Sequence, residues 1–215
     1  MNIKGAIFDL DGTLLDSMHA WENVARDYIL SRGAVPRSGL REAVRPLSLL
    51  QVAEYFKAEY GVTGEIQEIM DGVNKVIEGF YFERAVLKPG ARELIASLEQ
   101  EGVPMCIATA TDRHLVEAAL ARNGIMSAFS GIITCTEAGS GKDEPEIFFQ
   151  ALALLGTPKE ETAVFEDALY AVKTARAAGF KVVAVYDRSA TAFQDEIKAM
   201  AHLYINSLYE WGSLK

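Results

Sequence analysis

Residues 4–17 read KGAIFDLDGTLLDS, and the punctuation of that stretch decides the fold. The apolar run Ala6, Ile7 and Phe8 has the length of a buried strand. It stops at Asp9 and Asp11, and Gly12 then breaks the strand. Side chains two apart on a strand share a face, so both carboxylates leave its carboxyl end together. Like charges that close repel, which calls for a cation between them or a proton on one. Chemistry supplies a use for such a pair: one carboxylate attacks phosphorus, and the other serves as general acid and then general base. Mg2+, a hard ion that takes carboxylate and phosphate oxygens together, would screen their charge. The spacing is that of D-x-D-G-T, a catalytic pattern that context must confirm.

At 215 residues, half of them hydrophobic, the chain can bury a large α/β core with a small insert. The net charge of −9 argues against nucleic acid and against an anionic membrane surface as partners. A small phosphorylated metabolite remains compatible, its charge met locally by metal and lysine. No basic region followed by an apolar stretch opens the chain, and no apolar run approaches the roughly 18 residues of a membrane span. A soluble, cytoplasmic protein, monomeric or weakly dimeric, is the expectation. Cys106 and Cys135 lie in apolar runs without C-x-x-C spacing and read as buried, reduced thiols.

Beyond the first strand, Met18 to Ser31 carries apolar residues at helical spacing, and Pro36 and Gly39 mark a loop. Helical patterns resume over Ser48 to Tyr60 and Glu65 to Phe82. No strand signal lies between Ser17 and Ala85, so the spacing predicts an all-helical block over 17–83, inserted into a core of residues 1–16 and 84–215. From Pro89 the pattern alternates. Helices are predicted over Ala91–Glu101, Arg113–Asn123, Glu144–Leu155, Leu169–Ala178 and Thr191–Met200. Strands are predicted over Val103–Thr109, Gly131–Cys135, Thr162–Phe165 and Lys181–Tyr186, with Leu203–Asn206 a short last one. Nearly continuous apolar strands between helices belong to a parallel sheet covered on both faces, a doubly wound α/β core.

In such a sheet the ligand site lies outside the carboxyl ends of the strands. The first end carries Asp9 and Asp11. The second carries Thr109, then Ala110, Thr111 and Asp112 ahead of a helix; this is a seat for phosphate or simply a helix cap. After the third, Lys142 follows Gly139, Ser140 and Gly141, and reaches inward to a phosphate oxygen or outward to solvent. The fourth ends in Glu166 and Asp167, metal ligands or helix caps.

The joint order D-x-D-G-T, Thr, then Lys in GKDEPEIF, then VFED resembles the haloacid dehalogenase superfamily of phosphohydrolases, over essentially the whole chain. Within it the GK-to-PEIF and VFED segments look most like the β-phosphoglucomutase-like group, and the helical insert like that family's small cap. The resemblance implies that Asp9 is the nucleophile and Asp11 the acid/base. It implies that Thr109, Ala110 and Lys142 hold the phosphoryl group, and that Mg2+ is held by Asp9, the main-chain carbonyl of Asp11, Glu166 and Asp167. The fourth motif departs from the pattern: EDALYA has Ala168 and Ala171 where relatives usually carry serine and glycine, which removes a hydroxyl able to tune metal affinity.

Cap closure excludes water and sets leaving-group contacts; the cap candidates are Ser17, His19, Trp21, Arg41, Arg45 and Lys75. Trp21 stands where mutases of this family tend to have histidine. The reading is therefore a Mg2+-dependent phosphatase of small phosphorylated metabolites, sugar or polyol phosphates, acting through an aspartyl phosphate. A β-phosphoglucomutase-like phosphomutase and a catalytically silent phosphate sensor are the alternatives. A 2-haloacid dehalogenase would have little use for Asp11.

Overall fold

β1 (Gly5–Phe8), β2 (Met105–Thr109), β3 (Ile132–Thr134), β4 (Thr162–Glu166), β5 (Lys181–Val185) and β6 (Leu203–Ile205) form one parallel sheet in the order 3-2-1-4-5-6. The computed structural model describes residues 1–213. β1 and β4 are wholly buried, which explains why their sequences are apolar without alternation.

The helices are α1 (Met18–Trp21), α2 (Val24–Ser31), α3 (Leu40–Val44), α4 (Leu49–Tyr60), α5 (Ile66–Glu83), α6 (Ala91–Gln100), α7 (Arg113–Arg122), α8 (Cys135–Ala138), α9 (Glu146–Leu155), α10 (Leu169–Ala177) and α11 (Gln194–Met200). Successive strand residues point to opposite faces. Ile7, Cys106, Val164 and Val182 therefore pack with residues of α9, α10 and α11, such as Phe148, Val172 and Ile197. Phe8, Ile107, Phe165 and Val183 pack with α6 and α7 residues, such as Leu98 and Leu115. Phe8 stacks on Phe165 at 4.4 Å between ring centroids. Both faces are covered, as the sequence predicts for a doubly wound core. Cys106 and Cys135 are free and buried, and burial pushes each thiol up to about 12.

α1 to α5 lie between β1 and β2 in sequence, and α5 packs on α7. The two crossings into this helical block run side by side: Asp16 N donates to Val86 O at 3.0 Å, and Lys88 N to Leu14 O at 2.8 Å. Lys88 Nζ then ties Gly12 O (2.6 Å), Tyr186 O (2.6 Å) and Asp187 Oδ2 (3.0 Å) together.

Several predicted elements end elsewhere. The helix expected over Met18–Ser31 breaks at Glu22 and Asn23 into α1 and α2; asparagine competes for backbone hydrogen bonds and weakens a helix interior. The loop after Gly39 holds α3, five residues that are too short for periodicity to reveal. Cys135 belongs to α8 rather than β3, because Thr134 and Glu137 form a capping box that ends the strand. The expected Thr191 start yields to a 3-10 turn over Arg188–Phe193, with α11 beginning at Gln194.

Candidate active site

The pairing of Phe8 with Phe165 brings the ends of β1 and β4 level, and Asp9 N donates to Phe165 O at 3.0 Å. Asp9, Glu166 and Asp167, all buried, then present carboxylate oxygens within 4.8 Å of one another. Lys142, 2% exposed, reaches into this cluster from the glycine loop; its Nζ donates to Asp9 and, at 2.7 Å, to Glu166 Oε1. Burial pushes the Asp9 carboxyl up to about 7, with Lys142 pulling it back. Burial opposes the charge on Lys142, yet Asp9 and Glu166 outweigh it and hold the ammonium well above its usual range. Asp167 is held well above the carboxylate range by burial, then by Glu166 and Asp9. Of the alternatives open for Lys142, the inward one is observed.

The two acids after β4 have different surroundings. Glu166 is fully engaged: Oε2 accepts from Asp167 N and Ala168 N, each at 2.9 Å, while Oε1 takes Lys142. Asp167 Oδ1 accepts from Thr13 Oγ1 at 3.2 Å, and its Oδ2 is buried without a protein partner. Gly12, at φ +86°, lies so close that a Cβ there would sit 2.6 Å from Asp167 Oδ2. A buried anionic oxygen with no donor is costly unless something cationic meets it. Carboxylate oxygens of Asp9 and Asp167, the orphaned Oδ2 among them, fit a divalent cation of the Mg2+ type, whereas Glu166, expected from the sequence as a further ligand, is taken up by Lys142 and the main chain.

Asp11 sits beside this cluster under different control. Ser17 Oγ donates to Asp11 Oδ1 at 2.6 Å, Thr111 Oγ1 to Oδ2 at 2.6 Å, and the Tyr81 hydroxyl to Oδ1. Trp21 Nε1 in turn donates to the Tyr81 oxygen at 2.8 Å. Burial and the Asp11 charge push the Tyr81 phenol well above its ordinary value, which keeps it a donor. Sequence reasoning did not find Tyr81, whose place in α5 falls within an apolar pattern, or Thr13, hidden in the D-x-D-G-T run.

A cavity of about 170 Å3 joins the two parts. Asp9, Asp11, Thr109, Ala110, Lys142 and Asp167 form its floor, and Trp21, Arg41 and Arg45 contribute to its walls. Ser17 touches it only through Asp11. His19 stands outside: it packs edge-on to Phe80 at 5.4 Å and lies 3.7 Å from Asp16. Two residues along a helix turn the side chain by roughly 200°, so Trp21 and His19 cannot both face inward. Lys75 also lies away, paired with Glu78 on an exposed face.

A model of haloacid dehalogenase-like hydrolases matches residues 3–179. The chain belongs to this family. Among curated members, Hexitol phosphatase A of Escherichia coli is 30% identical over 207 residues, covering 94% of this chain and 92% of the relative. Validoxylamine A 7'-phosphate phosphatase of Streptomyces hygroscopicus subsp. limoneus is 30% identical over 213 residues, covering 96% and 95%. The fold is shared with CbbY from Rhodobacter sphaeroides, solved in complex with phosphate, at a TM-score of 0.83 and 23% identity over 98% of this chain and 96% of that one. Haloacid dehalogenase-like membership agrees with the strand order and with the acids at the ends of β1 and β4.

Proposed function

We propose that this protein is a Mg2+-dependent phosphatase of small phosphorylated metabolites working through an aspartyl phosphate on Asp9. The observation that carries this reading is the convergence of Asp9, Glu166, Asp167 and Lys142 beside Asp11 on one cavity. Asp9 attacks phosphorus, the bond from phosphorus to the ester oxygen breaks, and Asp11 gives its proton to the departing alkoxide. Asp11 then takes a proton from water as that water attacks phosphorus; the bond to Asp9 breaks, and inorganic phosphate leaves. Lys142, Thr109 and the main chain at Ala110 hold the phosphoryl oxygens in line. Asp9, Asp167 and the main-chain carbonyl of Asp11 would hold Mg2+, with Glu166 anchoring Lys142 beside them. The ion would supply charge neutralisation for the phosphoryl group.

In this reading residues 17–83 are a cap over a core of residues 1–16 and 84–215, and the cap excludes water while Asp9 carries phosphate. Hydrolysis is favoured over mutase chemistry because Trp21 occupies the cavity wall and His19 faces Asp16 and Phe80. Both polyol phosphates, expected from the sequence and consistent with the hexitol phosphatase relative, and esters of less polar alcohols fall in the proposed class.

The test is phosphate release from a panel of phosphomonoesters with Mg2+ and with EDTA. Turnover is expected only with the metal, and Asp9→Asn is expected to lower kcat by at least roughly a thousandfold, as losses of a nucleophile do. Turnover that survives either change overturns the reading.

A further inference from the structure

We infer that the leaving alcohol of the physiological substrate carries a compact apolar body, not a polyhydroxylated chain; this rests on the phosphatase reading above. The cavity wall facing Asp11 is mostly carbon. Trp21, Val24, Val44, Leu47, Val52 and Val73 supply it from α1 to α5 and their loops. Trp21 and Asn74 are engaged within the protein, while the two arginines at this wall each make a single polar contact. Trp21 Nε1 donates to Tyr81, and Asn74 Nδ2 donates to Asp112 Oδ2 at 2.7 Å, whose other oxygen accepts from Thr136 at 2.7 Å. Arg45 donates to Ser189 O at 3.3 Å, and Arg41 lies 3.8 Å from Glu22.

A hexitol chain buried against this wall exchanges water for carbon at several hydroxyls. Each hydroxyl left unpaired weakens binding by roughly tenfold. An apolar group meets the opposite situation, since its burial against valines, leucine and indole is favourable. The cavity of about 170 Å3 must also take the phosphoryl group over Asp9, which leaves room against the wall for a compact body only.

The test compares two esters of primary alcohols, so that leaving-group acidity is closely matched: 2-phenylethyl phosphate and hexitol 6-phosphate, both with Mg2+. The phenylethyl ester is expected to show a kcat/KM at least roughly tenfold higher, and Val44→Ser is expected to narrow that ratio. Affinity of the same two esters for the Asp9→Asn variant, measured by calorimetry, reads the wall without turnover. Tighter binding of the phenylethyl ester with no hydrolysis by the wild-type protein would refute the phosphatase reading, and with it the leaving-group role, while showing that the wall prefers an apolar ligand. Faster hydrolysis or tighter binding of the hexitol ester overturns the inference while leaving the phosphatase reading intact. Binding of neither ester overturns it as well.

Discussion

Asp11 is held by hydroxyls from three separate parts of the chain, Ser17, Tyr81 and Thr111. Each donates a hydrogen bond to its carboxyl oxygens, and such bonds to a charged group are worth about 1.5–3 kcal/mol. Tyr81 also joins Asp11 to Trp21, so it couples the loop after β1 to the cavity wall. Tyr81→Phe keeps the ring and removes only the hydroxyl. It should lower kcat/KM by roughly tenfold to a hundredfold while leaving Mg2+ affinity, measured by calorimetry, unchanged; an unaltered kcat/KM would reduce Tyr81 to a packing residue. Asp9 and Asp11 were legible because a dyad of acids at the end of an apolar run has no easy structural excuse. Lys142 was legible because a glycine loop presents it. Tyr81 was not, since an aromatic in a helix at apolar spacing carries no mark of the hydroxyl's partner 70 residues away.

At the scale of elements, the glycine loop that delivers Lys142 is pressed beneath the helical block. A Cβ on Gly141 would come within 2.8 Å of Pro46 O and 3.0 Å of Gln51 Oε1. Gln51 is not free to yield, because its side-chain oxygen accepts from Ser48 N at 2.7 Å in the capping box that starts α4. Gly141→Ala must therefore shift either the Lys142 loop or the turn before α4. A displacement of about 1 Å in a reacting group can cost a hundredfold. We expect kcat/KM to fall by roughly tenfold to a hundredfold, with the circular dichroism spectrum retained; full activity would mean that the contact yields without moving Lys142. The strands and long helices could be read from periodicity because each spans enough residues to show a period. α3 and α8, at five and four residues, could not, and the α1–α2 break was masked because the apolar spacing continues across Asn23. Of these, α3 and the α1–α2 break line the cavity, so that wall was its least legible part.

For the whole molecule, the strand order 3-2-1-4-5-6 gathers Asp9, Glu166 and Asp167 at one rim of the sheet, and the fold therefore concentrates like charge in a buried place. Lys142 meets Asp9 and Glu166, but Asp167 Oδ2 is left without a protein partner. Without metal, Asp167 is a source of repulsion and so of instability. Unfolded, it loses its proton near the ordinary 3.8; folded, burial and the neighbouring acids keep the proton on to higher pH. Between those values the folded chain binds more protons than the unfolded one, so this residue lowers stability as pH rises. Asp167→Asn removes both the charge and its titration. In EDTA it should therefore raise Tm, by about 2–4 °C for each kcal/mol of repulsion relieved in a chain of this size, and its advantage should be greater at pH 8 than at pH 5. Adding Mg2+ should reverse the ranking, because the ion stabilises the wild-type protein by binding its folded state and the variant lacks the oxygen left waiting for it. Thermal melts of both proteins, at the two pH values and with EDTA or Mg2+, check all three outcomes. A wild-type Tm insensitive to Mg2+ together with a destabilised variant would mean that Asp167 acts through its bond to Thr13 and not as the site's open ligand.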